Sequence, residues 1–415
     1  MSKVNDWLKN SFTPAMNKFS RNVWISTLKD SINGVMPLIF LGSIFSLLTL
    51  PGDLFQWSWY PDFWVPNGWT MGMVSIIMAF LIPYHYLVKK KMRKARIIAG
   101  ISGLILFSIC ISPQLTQDQA VGFGHSLFGT GGMFVAIITG IISGLIIKTF
   151  GNFSFFKEDS ALPDFVRQWF DQLLPIACIV VLGWVVTDIL QFNICELILN
   201  CMSPIQGATE TFWVFVFIHT FDTILFSMGI SSWTLTPITM PLMLSAIEAN
   251  IAGTASNIYT TSFLYAYLAP GGLGCSLALA ILLVRSKSRK LKALGKAGII
   301  PCVFNINEPV VFGCVVWNPI LMVPMILSGL VSPILGYLFT KVITLAVIPN
   351  ILFQLWYIPY PICTWMATGG SFTSCLLAIM IFAASMLIYY PFVKVYEKQC
   401  IAEENEELKN LSLSE

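Results

Sequence analysis

Charge is what this sequence has least of. Only 11% of its 415 residues are Asp, Glu, Lys or Arg, against about 25% in soluble domains. With 56% of the chain hydrophobic, a soluble fold would have no water-facing surface left, and that class is excluded. The ten cysteines include no C-x-x-C pair and no metal-like grouping with histidine. They read as reduced, buried thiols, and no metal or other cofactor is expected. The N-terminus lacks the pattern of a cleavable signal. Its first thirty residues mix charges with Trp7 and Phe12 and read as an amphipathic cytoplasmic segment.

What the chain does have is apolar runs near the length of a bilayer crossing, which needs roughly 20 residues. Ser31–Leu50, Trp69–Val88, Ile97–Ser112, Leu127–Ile147, Leu173–Ile194, Phe212–Ile230, Ser262–Val284, Ile320–Thr340 and Ser374–Pro391 are such runs. The fold class expected is an all-α polytopic membrane protein.

Basic residues cluster at Lys3–Lys29, Lys89–Arg96, Lys148–Arg167 and Arg285–Lys296, with a weaker group at Lys394 and Lys398. The positive-inside rule puts all five on the cytoplasmic side, which fits about ten crossings with both termini inside. The count requires "TLTPITMPLMLSAI" to span as well, and the segment after Lys296 to enter the membrane without crossing it. These clusters serve as topology anchors. "RSKSRKLKALGK" also abuts the most unusual apolar segment, where a soluble partner has reason to dock.

That segment is "FNINEPVVFG", Phe304–Gly313. A carboxylate at membrane depth is costly unless paired or in a wet cavity, so Glu308 is a candidate site residue. Asn305 lies three positions earlier, where one helical face presents both. Pro309 is expected to break that helix and leave a re-entrant element lining a cavity. The plain structural alternative is a polar plug satisfied by neighbouring helices.

The run resembles the signature F-N-I-N-E-P-[IV]-[IV]-F-G of the membrane-embedded IIC component of bacterial sugar phosphotransferase systems (PTS), lactose/cellobiose/chitobiose class. All ten residues match. "GVMPLIFLGSIF", "LFGTGGMFVAIITGIISGLI", "YLAPGGLGCSLAL" and "IYYPFVKVYEK" extend the likeness over nearly the whole chain. The resemblance implies a homodimeric permease in the bacterial cytoplasmic membrane. It would carry a disaccharide that a phosphocysteine on a separate IIB protein phosphorylates at the 6-hydroxyl. No phosphorylatable-cysteine loop of the IIB kind is visible, so the chain is not catalytic without that partner. IIA, HPr and enzyme I stand behind IIB, and no nucleic acid is expected to bind.

Residue by residue, the likeness makes Glu308 the catalytic carboxylate. It makes Asn305, Asn307, His219, Trp356 and Glu308 itself substrate ligands. The family's W-[FY]-[FY]-G-I-H-G run reads "VFVFIHT" here: His219 stays, while Val214, Phe217 and Thr220 depart from the pattern. Trp213 falls one position before the missing tryptophan, about 100° round a helix. Taken alone, His219 reads as a core histidine, and Trp356 reads equally as an interfacial anchor. Asp222 is placed to pair near His219, and Glu248–Asn250 resembles a stretch beside the pocket. His85 and His125 are left out of the site.

The implied architecture is a dimer-contact domain over 1–170 and a transport domain over 171–400 with two re-entrant hairpins. Residues 401–415 form a cytoplasmic tail. Two other functions stay open: an ion-coupled secondary transporter using Glu308 and Asp222, and a degenerate sugar-binding sensor. The residues do not say which sugar is carried.

Overall fold

The computed structural model describes residues 18, 22–55, 57, 59–111, 114–115, 121–156, 163–230 and 234–412. The amphipathic segment with Trp7 and Phe12, Asp118, the middle of the linker before Asp164 and the last three residues lie outside them. The described residues are almost wholly helical, with one two-residue antiparallel pairing of Gln114–Leu115 with Val121–Gly122. Among the described residues, five helices are long and apolar enough to cross a membrane: Trp64–Lys89, Thr130–Thr149, Val166–Ile189, Pro319–Val342 and Phe372–Glu406. Phe212–Ser227 is apolar but shorter.

One expected crossing is not a continuous helix. The run 262–284 is split into Thr261–Phe263, a π-helical turn Leu264–Leu268 and the helix Ser276–Val284. Pro270 and its neighbours cause the break. Gly271, Gly272 and Gly274 all take positive φ, a conformation open to glycine and closed to helix propagation.

The chain forms two compact units. One holds 18–206 and Pro237–Ser245; the other holds Gly207–Thr236 and the chain from Ala246 on. The boundary expected near residue 170 divided roles, dimer contact from sugar binding, and those roles are taken up below as a proposal.

In the first unit, the helices Val74–Lys89, Arg96–Cys110 and Met133–Thr149 pack on one another. Their close approach needs small residues, as membrane helix pairs generally do. A Cβ on Gly103 would sit 2.3 Å from the Ala79 carbonyl oxygen. Lys89 pairs with Asp30, and His85 Nδ1 lies 3.0 Å from Ser31 Oγ.

In the second unit, Phe212–Ser227 packs along Pro319–Tyr337, which in turn lies on Phe372–Ser412. The hairpin of Ser276–Val284 and Arg289–Val303 completes a core built around Leu279, Leu283, Val310, Val315, Leu321 and Tyr389. Residues 401–412, set apart from the sequence as a tail, continue the last helix for about three turns. All ten cysteines are free thiols, and seven of them are buried.

Candidate functional site

The helix Arg289–Val303 stops before Pro309 is reached. Asn305 takes φ 61, the left-handed conformation that asparagine tolerates better than most residues. The Ile306 N–H then closes back on the Pro301 carbonyl at 2.9 Å, and the Asn305 N–H on Cys302 at 3.0 Å. Pro309 instead sits at the start of the next short helix, Glu308–Val310, where its missing N–H removes nothing. A shared helical face for Asn305 and Glu308 is therefore corrected: the left-handed residue turns the chain between them.

The Asn305 side chain is what holds this break. Its Oδ1 accepts the Gly271 N–H at 2.9 Å, and its Nδ2 donates to the carbonyls of Trp356 at 2.7 Å and Ile358 at 2.9 Å. Both amide hydrogens are thereby used. Asn307 is buried and donates from Nδ2 to the Leu273 carbonyl at 2.9 Å. Gly272 passes so close that a Cβ there would lie 2.6 Å from Asn307 Cγ. Two asparagines thus tie three non-helical stretches together: 269–275, 304–307 and 356–358.

Glu308 is treated differently. Its side chain is exposed, and its carboxylate has no hydrogen-bond partner among the described residues. Glu308 thus lies exposed beside three broken backbone segments, a placement that a membrane chain tolerates where such a group lines a wet cavity. Trp356 gives its carbonyl to Asn305, while its indole Nε1 is buried with no partner among the described residues. Its ring meets Tyr357 edge-on at 5.8 Å.

His219 is buried on Phe212–Ser227, and its Nε2 also lacks a partner. So does Asp222 Oδ1, and no ion pair forms between the two among the described residues. The pairing expected near His219 is absent. The His219 carbonyl accepts Thr223 Oγ1 at 2.9 Å. Thr223 packs where a Cβ on Gly274 would lie 3.4 Å from its methyl, next to the Leu273 that Asn307 binds. Backbone and packing thus link His219 to the asparagine-held loops; no direct contact between His219 and Glu308 is seen among the described residues.

Trp213 is 79% exposed and Phe217 64% exposed. Neither is buried within the unit. Thr220 Oγ1 bonds Val216 O at 2.7 Å, with Gly329 O at 3.4 Å.

Asn250 ties Asn257 and Pro349 together. Glu210, which the sequence did not single out, accepts the N–H groups of Ile258 at 2.6 Å and Tyr259 at 3.0 Å. Its one signal was a carboxylate at the turn between two apolar helices.

The model of the family described as "Phosphotransferase system, EIIC" matches residues 29–329. The chain belongs to that family. It is similar to the lichenan permease IIC component of Bacillus subtilis (strain 168), at 28% identity over 98% of this chain and 96% of that one. The PTS system cellobiose-specific EIIC component of Geobacillus stearothermophilus is 29% identical over 97% and 96% of the two chains. The lactose-specific EIICB component of Staphylococcus epidermidis is 26% identical over 99% of this chain and 74% of that longer protein. Among solved structures, the transporter ChbC is the IIC component from the N,N'-diacetylchitobiose-specific phosphotransferase system. It superposes with a TM-score of 0.85 at 26% identity, over 96% of this chain and 99% of the other. This EIIC protein is thus membrane-embedded, and its described residues are almost wholly helical, as the scarcity of charge and the repeated apolar runs led one to expect.

Proposed function

We propose that this EIIC protein is the permease of a phosphotransferase system. In this reading it binds a disaccharide of the cellobiose, lactose or chitobiose kind and presents the 6-hydroxyl to a phosphocysteine on a separate IIB protein. The observation that carries the proposal is the free Glu308 carboxylate, set on a backbone break whose other polar side chains are already engaged.

In the transfer step the 6-oxygen attacks phosphorus, the sulfur–phosphorus bond breaks, and the hydroxyl proton passes to Glu308. Positioning and a proton acceptor are what such a displacement needs from a protein. The buried Nε2 of His219 and indole N–H of Trp356 are unpaired groups that sugar hydroxyls would satisfy. The Trp356 ring offers a face for the sugar to stack on. Asn305 and Asn307 act by holding the loops, since both Asn305 amide hydrogens are spent on backbone carbonyls.

The dimer-contact role of 1–170, the transport role of 171–400, the homodimer and the cytoplasmic placement of both termini belong to the same proposal. Alternating access around a midplane site fits it. Asp222, with one buried unpaired oxygen, favours one rival: an ion-coupled transporter.

Vesicles holding the protein separate the two readings. They are supplied inside with phosphoenolpyruvate, enzyme I, HPr, IIA and IIB, and screened with cellobiose, lactose and diacetylchitobiose. Phosphotransfer delivers the 6-phosphate and ignores a proton uncoupler. Accumulation of unmodified sugar that an uncoupler abolishes would establish the rival.

A further inference from the structure

The long C-terminal helix meets the segment leading to Glu308 along one stripe. Tyr389, Val393, Glu397, Cys400 and Glu404 recur at steps of three or four residues, one face of an α-helix. Tyr389 Oη donates to the Gly274 carbonyl at 2.8 Å. Val393 and Cys400 join the core.

The two carboxylates then grip the basic loop. Glu397 is buried; its Oε1 accepts the Ser286 hydroxyl at 2.8 Å and the Lys287 N–H, while its Oε2 accepts Lys394 Nζ at 2.8 Å. Glu404 Oε1 accepts the Ser288 hydroxyl at 2.6 Å and the Lys290 N–H at 2.9 Å, and its Oε2 accepts the Arg289 N–H at 3.1 Å. Ser288 Oγ in turn accepts the Leu291 N–H at 3.2 Å. The first three N–H groups of the helix Arg289–Val303, orphans in any helix start, are thus all engaged.

Within the loop, what the carboxylates bind is backbone and serine; the one cation they pair with among the described residues, Lys394, lies on their own helix. The side chains of Lys287, Arg289 and Lys290 stay exposed and form no ion pair among the described residues. The carboxylates thus fix the loop through its backbone, and the three cationic side chains stay exposed.

We propose that Glu397 and Glu404 form a latch whose task is to present Lys287, Arg289 and Lys290 as a rigid cationic patch to an anionic protein. On the phosphotransfer reading above, that protein is the phosphorylated IIB. The two glutamates are positioning residues: they act through the loop they hold and touch neither sugar nor the reacting phosphoryl group. A preordered patch binds without the entropy cost of ordering a mobile loop at each encounter.

The test uses the full chain in discs of zwitterionic lipid, which removes anionic headgroups as competitors for the cations. Amide exchange at Lys287, Arg289 and Lys290 reads the latch with no partner present. Half-saturation by a cellobiose-type IIB, phosphorylated on its cysteine, reads docking. In Glu404→Ala and Glu397→Ala, exchange at these amides quickens, and half-saturation by phosphorylated IIB rises about twofold to threefold, the cost of ordering the loop again at each encounter and no more than removing the cations themselves would cost. Sugar affinity and the rate at saturating IIB stay at wild-type values. Glu404→Gln keeps an acceptor oxygen and recovers most of the docking, and it also serves where an alanine variant folds poorly.

Unchanged exchange in the alanine variants would overturn the latch. Faster exchange with unchanged half-saturation, in a wild type that does accept phosphoryl groups from IIB, would overturn its docking role. A wild type that accepts none would overturn the phosphotransfer reading and the docking role with it, while the exchange arm would still decide whether the latch exists.

Discussion

The two polar stretches of the second unit spend their polar atoms in opposite ways. At 304–308 two asparagines give their amides to backbone groups of distant loops, and one carboxylate is left over. On Phe212–Ser227 the threonines bond their own helix, while His219 and Asp222 each keep a buried polar atom without a partner. The first stretch builds a shape and leaves one carboxylate exposed. The second holds buried polar atoms that the protein itself does not satisfy. In a membrane chain the cost of an unpaired buried group is what makes this difference informative.

Removing the leftover carboxylate is the largest perturbation. Glu308→Gln keeps the shape and an acceptor oxygen but loses the proton acceptor. Phosphorylation of bound disaccharide is expected to fall by about two to four orders of magnitude, with sugar affinity retained in part. Rates from a rapid-quench assay with phosphorylated IIB, set beside equilibrium binding of the sugar, check it. Wild-type turnover would remove Glu308 from the chemistry.

The second stretch is probed next. His219→Ala leaves sugar hydroxyls unpaired and is expected to cost about 1–3 kcal/mol of binding, roughly tenfold to a hundredfold in affinity. Abundance and melting temperature should hold. Calorimetric affinity and thermal melting on one purified sample separate this from a packing role, for which affinity would hold and the melting temperature would fall.

The smallest effect belongs to the exposed cations. Changing Lys287, Arg289 and Lys290 together to serine weakens docking of phosphorylated IIB by a few-fold, and the effect shrinks as salt rises, because exposed charges are screened over about 8 Å at physiological ionic strength. Half-saturation measured across a salt series checks this. No change at low salt would make the loop a topology anchor only.

The sequence disclosed the solvent and pointed to Glu308, but not the geometry around it. Scarce charge and repeated apolar runs required membrane helices, and an ionisable residue between them singled out Glu308. The break near it was assigned to Pro309, because proline's limits are local and legible. The true break is at Asn305, whose left-handed turn depends on Gly271, Trp356 and Ile358, 34 to 53 positions away. Periodicity carries no trace of partners so distant. The same holds for Glu397 and Glu404, whose partners in the basic loop lie more than a hundred positions back in the chain. His219 and Asp222 stand three apart, a spacing that allows a pair, yet each keeps a polar atom unpaired.

The contrast between a shape-building asparagine and a carboxylate proposed to react is tested most directly by Asn305→Ala and Glu308→Gln measured together. Each is read for melting temperature and for single-turnover phosphorylation of bound disaccharide by phosphorylated IIB. The asparagine variant should melt early, because three hydrogen bonds and the left-handed turn are lost. The glutamate variant should melt with the wild type and fail at the transfer step. A Glu308→Gln protein that melts early, or an Asn305→Ala protein as stable as the wild type, would contradict the division of labour between them.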